Sequence, residues 1–139
     1  MKIVGFHLTK ISAARLEIKI TKKPSTSIEF TKLDKDKSDL FKEGEIMRIA
    51  FKYSILYGEK ESEKEGSIEA EGEIILSTSK DESKEILKDW KKKKLPAALN
   101  ITLFNLILKR CTPKAIFLED EVGLPIHTPM PRLQPKKEE

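Results

Sequence analysis

Several things are scarce in this chain of 139 residues, and each scarcity excludes something. A single cysteine, Cys111, leaves no partner for an internal disulfide, so a reducing compartment is the default expectation. The two histidines, His7 and His127, have no acids or cysteines nearby at metal-ligand spacing, and no metal is expected. The six glycines never fall into the G-x-G-x-x-G pattern that cradles a phosphate, and no cofactor is expected. No apolar run approaches the roughly eighteen residues of a membrane span, so no membrane insertion is expected. The opening Met1-Lys2-Ile3-Val4-Gly5-Phe6-His7 meets polar residues too soon for a secretory signal. No catalytic set stands out, and no enzyme is expected. The expectation is a soluble cytoplasmic protein with one domain over residues 1–135 and a frayed end over 136–139.

What is abundant is charge of both signs. Charged residues make up 36% of the chain, with 27 Lys+Arg against 23 Asp+Glu and a net charge of +4. Arginine supplies only four of those 27 (Arg15, Arg48, Arg110 and Arg132). Dense lysine with dense glutamate suits a protein from a hot habitat, where the desolvation of ions costs less. A nucleic-acid footprint concentrates positive charge and uses arginine for bidentate contacts, so the small, mixed excess does not point there.

The first three quarters read as strands with period-two patterning and the last quarter as helix. Residues 45–57 place Ile49, Phe51, Tyr53, Ile55 and Tyr57 on one parity, with Arg48 and Lys52 on the other. That predicts a strand with one buried face. Residues 67–76 repeat the pattern, with Ile68, Ala70, Gly72, Ile74 and Leu76 inward and Glu69, Glu71 and Glu73 outward. The two form a long antiparallel hairpin across a solvated connection at 58–66. Upstream, two alternating pieces at 3–8 and 16–20 suggest one long strand with a bulge or bend at Ser12-Ala13-Ala14. After a turn at Lys23-Pro24-Ser25, Ile28, Phe30 and Leu33 continue the alternation, and 34–39 is a polar loop.

After Ser79 the period becomes helical. Asp81 suits an N-cap for a helix over 84–93 that carries Ile86, Leu87 and Trp90. Pro96 suits the first position of a second helix, 97–111. That segment is apolar nearly all round, and a helix with more than one apolar stripe needs cover on more than one side. One sheet covers one side; a second copy of the chain is the economical cover for the other, with Leu99, Leu103, Phe104, Leu106 and Ile107 at the interface. Thr112-Pro113 reads as a fresh N-cap and first turn, opening a short helix 113–122 that ends at Gly123. Residues 124–135 carry Pro125, Pro129, Pro131 and Pro135 and must be extended.

Candidate chemistry is sparse. His7 and His127 read as core or surface histidines, and Cys111 as a small buried thiol. The row Glu69, Glu71 and Glu73 reads as a solvated strand face. Trp90 followed by Lys91, Lys92, Lys93 and Lys94 offers an alternative function, a basic nucleic-acid-binding module with an aromatic platform. A solvated helix end, where lysines complement the dipole, explains the same run. Phe51, Tyr53 and Tyr57 would stack bases on an open sheet, but they share the face the apolar helix needs.

The order of elements resembles SecB-type chaperones. Phe6-His7-Leu8-Thr9-Lys10-Ile11-Ser12 stands where that family commonly has a Lys-Asp-Ile-Ser-like stretch, here without the Asp. Gly123-Leu124-Pro125, running on to Pro131-Arg132-Leu133, is similar to the Gly and Pro-rich apolar segment that comes after the family's helix. The resemblance implies an α+β fold, a four-stranded antiparallel sheet packed by C-terminal helices. It also implies a homo-oligomer, a dimer of dimers, that holds unfolded polypeptide clients in apolar grooves. The familiar bacterial members are acidic and carry a further C-terminal helix, whereas this chain is basic and stops at Glu139. A general holdase or a chaperone for an antitoxin-like client therefore fits as readily as protein export. Under this resemblance the client-binding candidates are Phe6, Leu8, Leu124, Ile126, Met130 and Leu133.

Overall fold

A computed structural model describes residues 1–36, 44–131, 133 and 135. Four strands, β1 (Lys2–Arg15), β2 (Pro24–Asp36), β3 (Glu45–Tyr57) and β4 (Gly66–Thr78), are followed by helices α1 (Lys80–Trp90) and α2 (Ala97–Val122). The strands form one antiparallel sheet in the order β1-β4-β3-β2, and both helices pack on its apolar face. The fold is the expected α+β arrangement. Residues 34–36, expected in a polar loop, instead extend β2 and pair with Arg48, Met47 and Ile46, while 37–39 of that loop and the expected fraying of 136–139 lie outside the described residues.

The hairpin β3–β4 follows its alternation residue for residue. Met47, Ile49, Phe51, Tyr53, Ile55 and Tyr57 are 0–1% exposed, and Ile68, Ile74 and Leu76 join them. Each fully buried large side chain contributes about 2 kcal/mol of transfer free energy, so this hairpin carries the core. Gly72 is required where it stands: a Cβ there would lie 2.4 Å from the His7 carbonyl oxygen and 2.9 Å from the Phe51 ring. On the opposite face Lys52 meets Glu69 at 3.5 Å and His7 meets Glu73 at 3.2 Å, a solvated row of cross-strand pairs.

β1 departs from the expected pattern. It runs straight through Ser12-Ala13-Ala14, and its register slips elsewhere, between Ile3 and Gly5 and between Leu8 and Lys10. Each slip adds one residue and reverses the parity of the residues after it. Ile3 faces the helices at odd parity, Phe6 and Leu8 at even parity, and Ala13 at odd parity again, opposite Leu76, Ile74, Gly72 and Ile68. β2 makes the same switch between Phe30 and Lys32.

Residues 16–20 are not a strand. Their backbone is occupied by Arg15, which donates from Nε to the Glu17 carbonyl at 3.0 Å, from Nη2 to the Ile18 carbonyl, and from Nη1 to the Gly123 carbonyl at 2.8 Å. A carbonyl bound by a guanidinium is not free for a ladder, and Ile18 is left 94% exposed.

The start of α1 and the expected break within α2 also differ from expectation. α1 is capped by Ser79, not Asp81: Ser79 Oγ accepts from the Glu82 amide at 3.2 Å, and the Glu82 carboxylate accepts from the Ser79 amide at 3.1 Å. This capping box satisfies two amides at once. α2 continues through Thr112-Pro113 as one helix of 26 residues. Pro113 withdraws one N–H from the ladder, but Lys109, whose carbonyl it would have bonded, and Pro113 are both exposed. The buried residues on either side, Cys111 and Ala115, hold the helix to the sheet across the gap. α2 stops at Gly123, whose φ of 71° is the left-handed conformation glycine adopts without a Cβ penalty.

The buried face of α2 explains its composition. Leu99, Leu103, Ile107, Cys111, Ala115 and Glu119 are buried at every fourth position. Steps of four overshoot one turn by roughly 40°, so the buried stripe winds around the helix along its length. Much of the apolar surface that pointed to a second covering layer is therefore covered by this chain's own core.

Candidate functional site

An open groove of about 470 Å³ lies between edge strand β2, the end of α1 and the start of α2. Ile28 and Phe30 of β2, Trp90 and Leu95 at the interhelical turn, and Ala97 and Phe104 of α2 line it. Glu29, Lys93 and Lys94 stand at its rim. Phe30 meets Phe104 edge-on, with ring centroids 5.4 Å apart, which fixes the floor of the groove. The turn that forms its end is unusual: Lys93 has φ of 57°, a left-handed conformation normally given to glycine. Its amide donates to the Trp90 carbonyl at 2.7 Å, ending α1 and turning the chain toward α2.

Among the described residues β2 pairs only with β3, so its outer edge keeps one row of backbone amides and carbonyls free of sheet partners there. Apolar side chains on its face and backbone groups on its edge thus sit side by side. Trp90 is half-buried in this wall, and Phe51, Tyr53 and Tyr57 are in the core, so none of these aromatics is a free stacking platform.

A second cluster lies where the C-terminal segment crosses the sheet. Glu119 is fully buried, and its carboxylate accepts from the His127 amide at 2.9 Å and from His127 Nδ1 at 2.8 Å. Tyr57 donates its phenolic proton to the same carboxylate and stands 2.5 Å from the Pro125 carbonyl. Tyr53 lies 3.5 Å from His127 Nε2. With Nδ1 protonated toward Glu119, Nε2 is the acceptor for the Tyr53 hydroxyl. Burial pushes the Tyr53 hydroxyl up to about 12. Burial, then the hydrogen bond to Glu119, pushes Tyr57 higher still. Both phenols therefore remain donors.

The six client-binding candidates do not form one surface. Phe6 and Leu8 lie half-buried on β1, at the edge of the sheet opposite β2. Phe6 stacks on Phe51 at 5.3 Å, and the Arg110 guanidinium lies 5.0 Å from its ring centre. Leu124 is 4% exposed and belongs to the core, packed over Gly66. Ile126 and Met130 are exposed and share a shallow recess with Thr128 and Pro129. Leu133 is exposed throughout.

Of the residues expected at an oligomer interface, Leu99, Leu103 and Ile107 face the sheet and are buried in this chain. Phe104 and Leu106 are half-buried at the margin. The apolar residues α2 leaves outward are Ile101, Leu108 and Phe117, which are 62%, 39% and 63% exposed.

Burial pushes the Cys111 thiol up, outweighing Lys114 and Arg110, and the group is inert in place. Among the described residues no cluster of His, Cys, Asp or Glu could hold a metal ion. No described helix is long and apolar enough to cross a membrane.

Sequence reasoning misses both the groove and the Glu119 cluster. The groove joins segments sixty or more positions apart, which no local pattern links. Glu119 carries a usable signal, because it continues the every-fourth stripe of α2 and is placed inward by it.

No protein-family model matches the sequence, and no curated protein matches it. Among solved structures, the fold is similar to the Mycobacterium tuberculosis Rv1957 SecB-like chaperone in complex with a ChAD peptide from Rv1956 HigA1 antitoxin. Identity is 14%, the alignment covers 97% of this chain and 92% of that one, and the TM-score is 0.46.

Proposed function

We propose that this chain is a SecB-like holdase, a chaperone that binds extended apolar segments of non-native polypeptides. One observation carries the reading: the aromatic groove of Phe30, Trp90 and Phe104 lies directly beside the free edge of β2. An unfolded chain exposes apolar side chains and unpaired backbone together, and this site answers both. The edge offers backbone hydrogen bonds without regard to sequence, and the groove takes the side chains of one face. At about 25 cal/mol per Å² of apolar area buried, several such contacts give useful affinity without sequence specificity. Lys93, Lys94 and Glu29 at the rim keep the open groove solvated. The exposed Ile126 and Met130 offer a second, shallower contact for the same client.

The reading includes a homo-oligomer, a dimer of dimers, with Ile101, Leu108 and Phe117 as the contact in place of the buried leucines of α2. Clients are unfolded polypeptides, in protein export, in general holding or in protection of an antitoxin-like protein. The test is aggregation of a chemically denatured model protein diluted into buffer. The chaperone at near-stoichiometric ratio suppresses it, and Phe30→Glu, which puts a charge on the groove floor, does not. Equal aggregation with and without the wild-type protein overturns the reading.

A further inference from the structure

The geometry points to Glu119 and His127 as a latch that sets the position of the C-terminal strap, residues 125–131. Opening it uncovers Tyr53 and Tyr57 as a continuation of the groove.

The strap is held by polar contacts. Leu124, just before it, is the last apolar residue in the core, and the strap's two large apolar side chains, Ile126 and Met130, are 42% and 52% exposed. Pro125, Pro129 and Pro131 have no N–H to give to a ladder. Among the described residues, the strap's hydrogen bonds converge on one carboxylate and two phenols. His127 donates twice to Glu119, the Pro125 carbonyl lies against the Tyr57 hydroxyl that donates to the same carboxylate, and His127 Nε2 meets Tyr53.

The carboxylate in turn depends on the strap. Glu119 is 0% exposed, and among the described residues it has no Lys or Arg partner; it is held by His127 Nδ1 at 2.8 Å. The ionisable groups around it are Tyr57 and Tyr53 from β3 and His127 from the strap. A buried charge satisfied only by donors loses most of its compensation when two of three donors leave together. The contact is therefore formed or broken as a unit.

Beneath the strap lies the route to the groove. Tyr53 pairs with Ile28 across β3 and β2, and Ile28 lines the groove. Displacing the strap joins the Ile28–Phe30 surface to Tyr53 and Tyr57. That something enters the enlarged groove rests on the holdase reading; the latch itself does not.

The experiment compares the full chain with His127→Ala and with His127→Asn, which keeps an N–H near the Nδ1 position. In the absence of any client, exchange of the amide at position 127, the strap amide bonded to Glu119, rises at least about tenfold over the sequence-corrected wild-type rate in His127→Ala, while α2 amides from Leu99 to Ala115 are unchanged. Binding of the apolar dye anilinonaphthalene sulfonate rises in parallel. His127→Asn restores both. Wild-type exchange and dye binding in His127→Ala overturn the latch, as does a rise in exchange shared by the whole of α2. An apolar model peptide binds His127→Ala more tightly than wild type; equal affinity overturns the groove extension. A peptide that binds neither protein counts against the holdase reading and leaves the exchange result standing.

Discussion

His127 Nδ1 lies 2.8 Å from the carboxylate of Glu119, a side chain with no exposed surface, and the contact closes a loop of eight residues around the end of α2. An acid on the inward stripe of an otherwise apolar helix is stable only because donors from β3 and the strap reach it.

Glu119→Ala removes the acceptor for three hydrogen bonds and strands the His127 ring and amide, while the Tyr57 hydroxyl can still turn to the Pro125 carbonyl. The expected loss is on the order of 3 kcal/mol in urea unfolding.

Glu65 contributes acid sensitivity at the same end of the sheet, where its amide donates to the Tyr57 carbonyl at 2.8 Å. Burial alone would raise its carboxyl, but the Thr21 and Lys22 amides, at 2.9 and 2.6 Å, outweigh burial and hold it below 4.5. The folded value is the lower one, so its stabilisation is complete above about 4.5 and is lost as pH falls through the folded value. Urea midpoints measured from pH 6 downward fall in this window for the wild type, and Glu65→Gln flattens the fall.

Lys93 holds a left-handed conformation at φ 57° that glycine adopts freely. Lys93→Gly is expected to raise stability by about 1 kcal/mol, read as a higher thermal midpoint. A lower midpoint would mean that the lysine side chain contributes more than its backbone strain costs.

Pro113→Ala restores the amide missing from the middle of α2. Because the proline already sits in a continuous helix, the expected gain is about 1 kcal/mol or more, checked by the same thermal scan.

These positions also mark how much of the fold is legible in the sequence. β3 and β4 can be read residue by residue because their buried parity never changes over Glu45–Tyr57 and Gly66–Thr78. β1 is only half legible, since two slips of register move Phe6 and Leu8 onto the parity opposite to Ile3 and Ala13. Pro113 looks like a boundary because local rules penalise it, and tertiary contacts at Cys111 and Ala115 override the penalty. The burial of Tyr53 and Tyr57 is plain from their parity on β3. Their hydroxyl partners lie 74 and 62 positions away in sequence, beyond the reach of any period. The groove is hidden for the same reason: Trp90 and Phe30 meet only once the sheet and helices are assembled.

Trp90 is the chain's single tryptophan and lines the groove, so its fluorescence reports on that site alone. Titration with an extended apolar peptide is predicted to give a saturable blue shift of Trp90 emission, largely insensitive to salt and abolished by Phe30→Glu. Emission that does not change while the same peptide is demonstrably bound would place the client elsewhere and contradict the central claim.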